Sequence, residues 1–202
     1  MVELFTSQGC SSCPPADALL GELARRDGVV ALGFHISYWD HLGWKDPLSS
    51  PAATARQRAY ARRLSEGVVY TPQLVVDGVT EMVGSDRAAV LAALRAAKPE
   101  AATPVGFADD RRAVAIGAGQ GRGEVVLVRF VRHRSTQVGA GENAGHAADD
   151  VNGVRDIAAL GSWDGAAQHF AIDPPAAGEG LAVLVQAPDG KILGAAMVLG
   201  PG

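Results

Sequence analysis

The residues in this chain best suited to chemistry are Cys10 and Cys13, its only two cysteines, separated by Ser11 and Ser12. Random placement would give that spacing only about once in a hundred, so the arithmetic favours a paired role. The flanking sequence says what kind of pair. Val2 to Phe5 reads as a short apolar strand and Thr6 to Gly9 as a turn. Asp17 to Ala24 reads as a helix with Leu19, Leu20 and Leu23 on one face. Both cysteines then fall at the helix entry, ahead of Pro14 and Pro15, where a missing N–H costs least. Residues one turn apart lie within reach of a disulfide. The unpaired N–H groups and partial positive charge of a helix start favour a thiolate. In this reading Cys10 is the nucleophile that forms a mixed disulfide, and Cys13 resolves it.

The elements that must hold these residues follow along the chain. Val29 to Ser37 reads as a strand apolar on both faces, as at the centre of a covered parallel sheet. A loop carrying Tyr38, Trp39, Asp40, His41 and Trp44 comes next. Ser50 reads as the cap of a helix running from Pro51 to about Glu66, with Arg56, Arg58, Arg62 and Arg63 on a solvated face. Thr71-Pro72 precedes a strand, Asp77-Gly78 marks a hairpin, and Ser85 caps a further helix that ends before Pro99. The order over residues 2–97 is β-α-β-α-β-β-α. In a sheet of that order the loops after the first two strands and the start of the third meet at one edge, bringing Trp39, Thr71 and Pro72 to the cysteines.

From Pro104 onward the texture is short apolar runs between glycine-rich turns: 113–116, 125–131, 169–172, 181–185 and 192–199. Residues 104–202 therefore read as a mostly β, sandwich-like second domain after a first domain over residues 1–99, with one helix near Val151 to Leu160.

Residues 2–97 resemble the thioredoxin superfamily. The run Val2 to Asp17, with Tyr38-Trp39-Asp40, Gly43 to Pro47, Arg56-Gln57-Arg58, Tyr60 and Val69 to Gln73, is similar to an uncharacterised family of bacterial proteins, usually exported, that bear a thioredoxin-like domain. The similarity continues through Gly141-Glu142-Asn143, Val151-Asn152 and Gly161-Ser162-Trp163. It implies an α/β thioredoxin-like domain, dithiol–disulfide exchange by Cys10 and Cys13 on protein or small thiol partners, and a peptide groove shaped by a cis Pro72. It also implies a periplasmic or secreted location after leader removal, with a cytosolic location as the alternative. Members tend to carry basic residues after Gly-Glu-Asn, where this chain has Ala144 and His146, so the loop is assigned no anion.

Among the remaining candidates, Glu3 sits in an apolar strand and would accept a proton from Cys13 if it lay beneath the pair, with Asp40 as the competing acid. Its spacing to Cys10 is one residue longer than that of the usual thioredoxin carboxylate. The site is thus read as Cys10, Cys13 and Glu3, with Thr71, Pro72 and Trp39 against the substrate, and with no cofactor or metal. Zinc would need two further ligands, and no second Cys-x-x-Cys is present. The net charge of −4 gives no reason to expect nucleic acid, and no stretch approaches the ~20 apolar residues of a membrane span. The alternative is a non-catalytic binding or assembly factor, with copper as a conceivable cargo because thiolates suit Cu(I). A buried Cys10 under a surface shared by both halves would favour it, and an exposed Cys10 beside a cis Pro72 would favour exchange.

Overall fold

In the computed structural model, residues 1–97 and 103–201 are described; Pro99, the expected limit of the third helix, lies outside them. The first half runs β1 (Val2–Thr6), α1 (Pro14–Leu23), β2 (Ala31–His35), α2 (Pro51–Leu64), β3 (Gln73–Val76), β4 (Thr80–Val83) and α3 (Arg87–Ala96). β1 pairs parallel with β2 and antiparallel with β3, and β3 pairs antiparallel with β4. Local chemistry accounts for the boundaries. The Ser50 hydroxyl accepts from the Ala53 N–H at 3.0 Å and Pro51 opens α2. Asp77 and Gly78, both at positive φ, form the centre of the turn that closes the β3–β4 hairpin, with the Val79 N–H donating back to the Val76 carbonyl at 3.1 Å and three residues between the paired Val76 and Thr80. The cap of α3 is Asp86, which accepts from the Ala89 N–H, and not Ser85.

The second half runs β5 (Val105–Phe107), β6 (Ala113–Ile116), β7 (Gly123–Gln137), β8 (Ala147–Trp163), β9 (Gln168–Ala171), β10 (Glu179–Gln186) and β11 (Ile192–Leu199). The helix expected near 151–160 is strand instead, the middle of β8, paired antiparallel with β7. Two register shifts explain the misreading. The ladder passes from Phe130↔Val154 to Arg129↔Asp156, and from Val126↔Ala159 to Val125↔Gly161, so Arg155 and Leu160 are extra residues on β8. Those insertions space Val151, Val154, Ile157 and Leu160 by threes, a helix-like interval on an extended chain.

One sheet passes through both halves, in the order β11-β10-β7-β8-β2-β1-β3-β4. The stretches expected to form separate domains are joined where β2 and β8 run parallel with Gly33 opposite Gly153, and the Asn152 amide donates to the Ala31 carbonyl at 2.9 Å. A Cβ on Gly33 would lie 3.6 Å from the Val151 carbonyl oxygen, and one on Gly153 would lie 2.6 Å from Cδ1 of Leu48, in the loop after β2. α1 and α3 cover one face through Val2, Leu4, Leu19, Leu20, Leu23, Leu74 and Val90. α2 lies on the opposite face, where Phe5, Phe34 and Tyr60 share a core with Val128, Phe130 and Leu184 of the second half. The small sheet β5-β6-β9 packs on the far strands through Val114, Ile116, Trp163 and Val183. Among the described residues no helix is long and apolar enough to cross a membrane.

Candidate functional site

β1 delivers the chain to the sheet edge, where it turns through Ser7 to Gly9 before entering α1. Cys10 and Cys13 form a disulfide across that entry, with Cα atoms 5.4 Å apart and Cys13 as the N-cap residue. The Cys13 N–H donates to the Cys10 carbonyl at 3.1 Å, and the Cys13 carbonyl accepts from Ala16 and Asp17. The bridge therefore closes the turn that leads into α1.

Three residues expected from separate segments meet here. The Thr71–Pro72 bond is cis. The Trp39 Nε1–H donates to Thr71 Oγ1 at 2.9 Å, which turns the Thr71 proton toward Cys10 Sγ, 3.3 Å away. Ser12 Oγ lies 3.3 Å from the same sulfur and 3.4 Å from the Thr71 carbonyl oxygen. The Thr71 hydroxyl thus donates to Cys10, the sulfur that would carry the negative charge after reduction, with the Ser12 hydroxyl beside it and free to turn from the Thr71 carbonyl to the sulfur.

Both cysteines are nevertheless fully buried, unlike the exposed Cys10 that simple exchange calls for. The turn that carries them is also tied to the second half, by the loop joining β7 to β8. Asn143 donates from one amide nitrogen to the carbonyls of Gln8 and Cys10, each at 2.9 Å. Glu142 Oε2 accepts from the Ser11 N–H at 3.0 Å and the Ser11 hydroxyl at 2.7 Å. The loop rests on Trp44: a Cβ on Gly139 would meet the indole at 3.1 Å, and Gly141 turns beside it at a φ of 79°. Trp44 in turn donates to Gln8 Oε1 at 3.1 Å.

Below the turn lies a buried polar cluster that the sequence did not reveal. His35 Nδ1 is 2.7 Å from Asp46 and its Nε2 is 3.6 Å from Asp150. Gln8 fastens the turn to both acids, its N–H to Asp46 at 2.8 Å and its amide to Asp150 at 2.6 Å. Burial opposes charge on His35, but the Asp46 hydrogen bond and the charges of Asp46, Asp150 and Asp17 outweigh it and raise its pKa to about 9. Asp17, held by the Thr6 hydroxyl at 2.8 Å, moves the other way for an acid: desolvation pushes it up to about 7 against the pull of His35.

Glu3 does not lie under the cysteines. Alternation along β1 turns Val2, Leu4 and Thr6 toward α1, and Glu3 and Phe5 toward α2. Glu3 is buried there, paired with Arg56 and accepting from the Tyr60 hydroxyl at 2.5 Å. Arg56 accordingly leaves the solvated face expected of α2, while Arg58, Arg62 and Arg63 stay exposed. The residue one helical turn beyond Cys13 on the inward side of α1 is Asp17, and helical side chains lean toward the preceding turn. Asp40 is a loop residue that accepts from the Ser49 hydroxyl at 2.7 Å.

Fold and site together define a protein with a disulfide at a helix entry on a mixed sheet, tied to a loop from its own second half. The chain belongs to the family described as "Protein of unknown function (DUF1223)", whose pattern matches residues 1–186. It is similar to a crystallographically solved protein of Agrobacterium tumefaciens, with 35% identity over 99% of this chain and 93% of that one, at a TM-score of 0.85. No curated protein matches it.

Proposed function

We propose that the first half is a thioredoxin-like unit and that the Cys10–Cys13 pair carries out thiol–disulfide exchange, in an oxidising compartment such as the periplasm. The observation that carries this reading is the convergence of the Thr71 and Ser12 hydroxyls on Cys10 Sγ. Donors placed on one sulfur of a pair stabilise that sulfur as a thiolate, and so decide which cysteine a partner engages. A partner thiolate attacks Cys10 Sγ, the Cys10–Cys13 bond breaks, and the electron pair leaves on Cys13. Asp17, one helical turn after Cys13 and protonated below about pH 7, is the acid we assign to give that sulfur its proton. A second partner thiol then attacks the mixed disulfide, leaving as a disulfide with two electrons transferred to Cys10 and Cys13. Run backward, the same steps oxidise a partner dithiol. Thr71, Pro72 and Trp39 would border the partner chain.

The burial of Cys10 favours the second reading, a binding or assembly factor whose disulfide fixes the turn against the Glu142–Asn143 loop. Trapping separates the two. With a disulfide-bonded peptide as probe, Cys13→Ser should accumulate a mixed disulfide at Cys10, and Cys10→Ser should accumulate far less at Cys13. If neither folded variant exchanges while the unfolded chains do, the pair is structural and the binding reading replaces exchange.

A further inference from the structure

Glu142 places a carboxylate beside the turn that carries Cys10 into α1. Its Oε2 takes the Ser11 N–H and the Ser11 hydroxyl together. The Ser11 nitrogen is bonded directly to the Cys10 carbonyl carbon. The carboxylate therefore lies within a Debye length, about 8 Å, of the Cys10 sulfur. Those same hydrogen bonds keep Glu142 ionised, its pKa lowered below the usual carboxylate range.

The consequence depends on redox state. In the disulfide the sulfurs are uncharged, and Glu142 keeps its Ser11 hydrogen bonds without opposition. After reduction, a Cys10 thiolate and the Glu142 carboxylate repel each other across that short separation. The carboxylate thus costs the dithiol state something it does not cost the disulfide.

We infer that Glu142, supplied by the second half, sets the redox poise of the Cys10–Cys13 pair by stabilising the disulfide relative to the dithiol. The inference rests on the exchange reading, in which a dithiol partner gives two electrons and two protons, the Cys10–Cys13 bond breaks, and the partner leaves as a disulfide. It gives the second half a part in the chemistry, as the source of a charge that tunes the first half's cysteines. Ser11 and Ser12 carry no charge of their own to do this.

The experiment is the equilibrium potential of the full chain in a dithiothreitol or glutathione redox series, read by alkylation and mass, for the wild type, Glu142→Gln and Glu142→Lys. Glutamine retains an acceptor for Ser11 and removes the charge. It should favour the dithiol three- to tenfold, raising the potential by about 15–30 mV, since tenfold is about 30 mV for a two-electron couple. Lysine should raise it further, and the differences should shrink in high salt. The Cys10 thiol should titrate at lower pH in the same order. A role limited to holding the loop would leave Glu142→Gln, which keeps the acceptor, at the wild-type potential and move only Glu142→Lys, without following the charge. Potentials unchanged, lowered or insensitive to salt would overturn the inference and leave the exchange reading standing. A wild-type pair that never equilibrates with the buffer while folded would instead remove the exchange reading itself.

Discussion

At the scale of single residues, the cluster beneath the cysteines is an acid–base device as much as a packing solution. Asp17 faces Thr6 from β1, His35 from β2, Asp46 from the loop after β2 and Asp150 from β8. Its folded-state pKa of about 7 stands above the ordinary 3.8, so the folded state holds a proton that the unfolded chain would release. Stability from that proton is complete below pH 3.8 and is lost as pH rises through 7. His35, raised from 6.5 to about 9, has the same sign one window higher, with its contribution complete below 6.5 and lost through 9. The melting temperature should therefore fall between pH 5 and pH 9.5, and Asp17→Asn, which cannot release the proton, should flatten the lower part of that fall. Thermal melts across this range check it; a wild-type curve level from pH 5 to 9.5 would sink the argument. Removing His35 would do more harm than removing its proton, because it leaves Asp46 and Asp150 buried without their cation.

Among the elements, what could be read in advance and what could not divides along local against long-range causes. Ser50 and Pro51 announced α2, and Asp77-Gly78 announced a hairpin, because caps and turns are decided within a few residues. β8 was misread because its bulges at Arg155 and Leu160 exist only through its pairing with β7. The cysteines, Trp39, Thr71 and Pro72 were legible as one site from strand order, whereas Asn143 and Glu142 reach it from a loop more than 130 positions away. Asp17 did leave a signal that was missed: it stands one helical turn after Cys13, in a helix whose inward side is otherwise apolar. Glu3 was placed on the wrong side through β-strand parity, which an odd number of residues between strand and helix does not reveal. The β2–β8 seam gives an element-scale prediction. Gly153→Val would drive a side chain into Leu48 beside the seam, costing about 1–3 kcal/mol by overpacking. Urea denaturation against a Gly106→Val control, a strand glycine whose Cβ meets nothing within 4 Å and which, like Gly153, is not at positive φ, isolates the packing cost. Equal losses in the two variants would mean that the seam is not tightly packed.

For the whole molecule, the continuous sheet implies that neither half has a complete core. The cluster under α2 draws Phe5, Phe34 and Tyr60 from the first half and Val126, Val128, Phe130, Leu184 and Ile192 from the second. Parting the halves at the β2–β8 seam would expose both sets at once, along with the backbone edges of two central strands. Gln8, Ser11 and Asn152 add polar ties across the same divide, each with a partner in the other half. Such coupling makes partial unfolding costly, so the chain should unfold as one cooperative unit. Trp39 and Trp44 report on the first half and Trp163, buried in the core beneath the small sheet, on the second. Two variants, one retaining only Trp163 and one lacking it, should therefore unfold in urea with the same midpoint and slope as far-UV circular dichroism of the same protein. Separate midpoints for the two reporters would mean that the halves fold independently, and the cysteine site would then be tied to a unit able to detach without unfolding the rest.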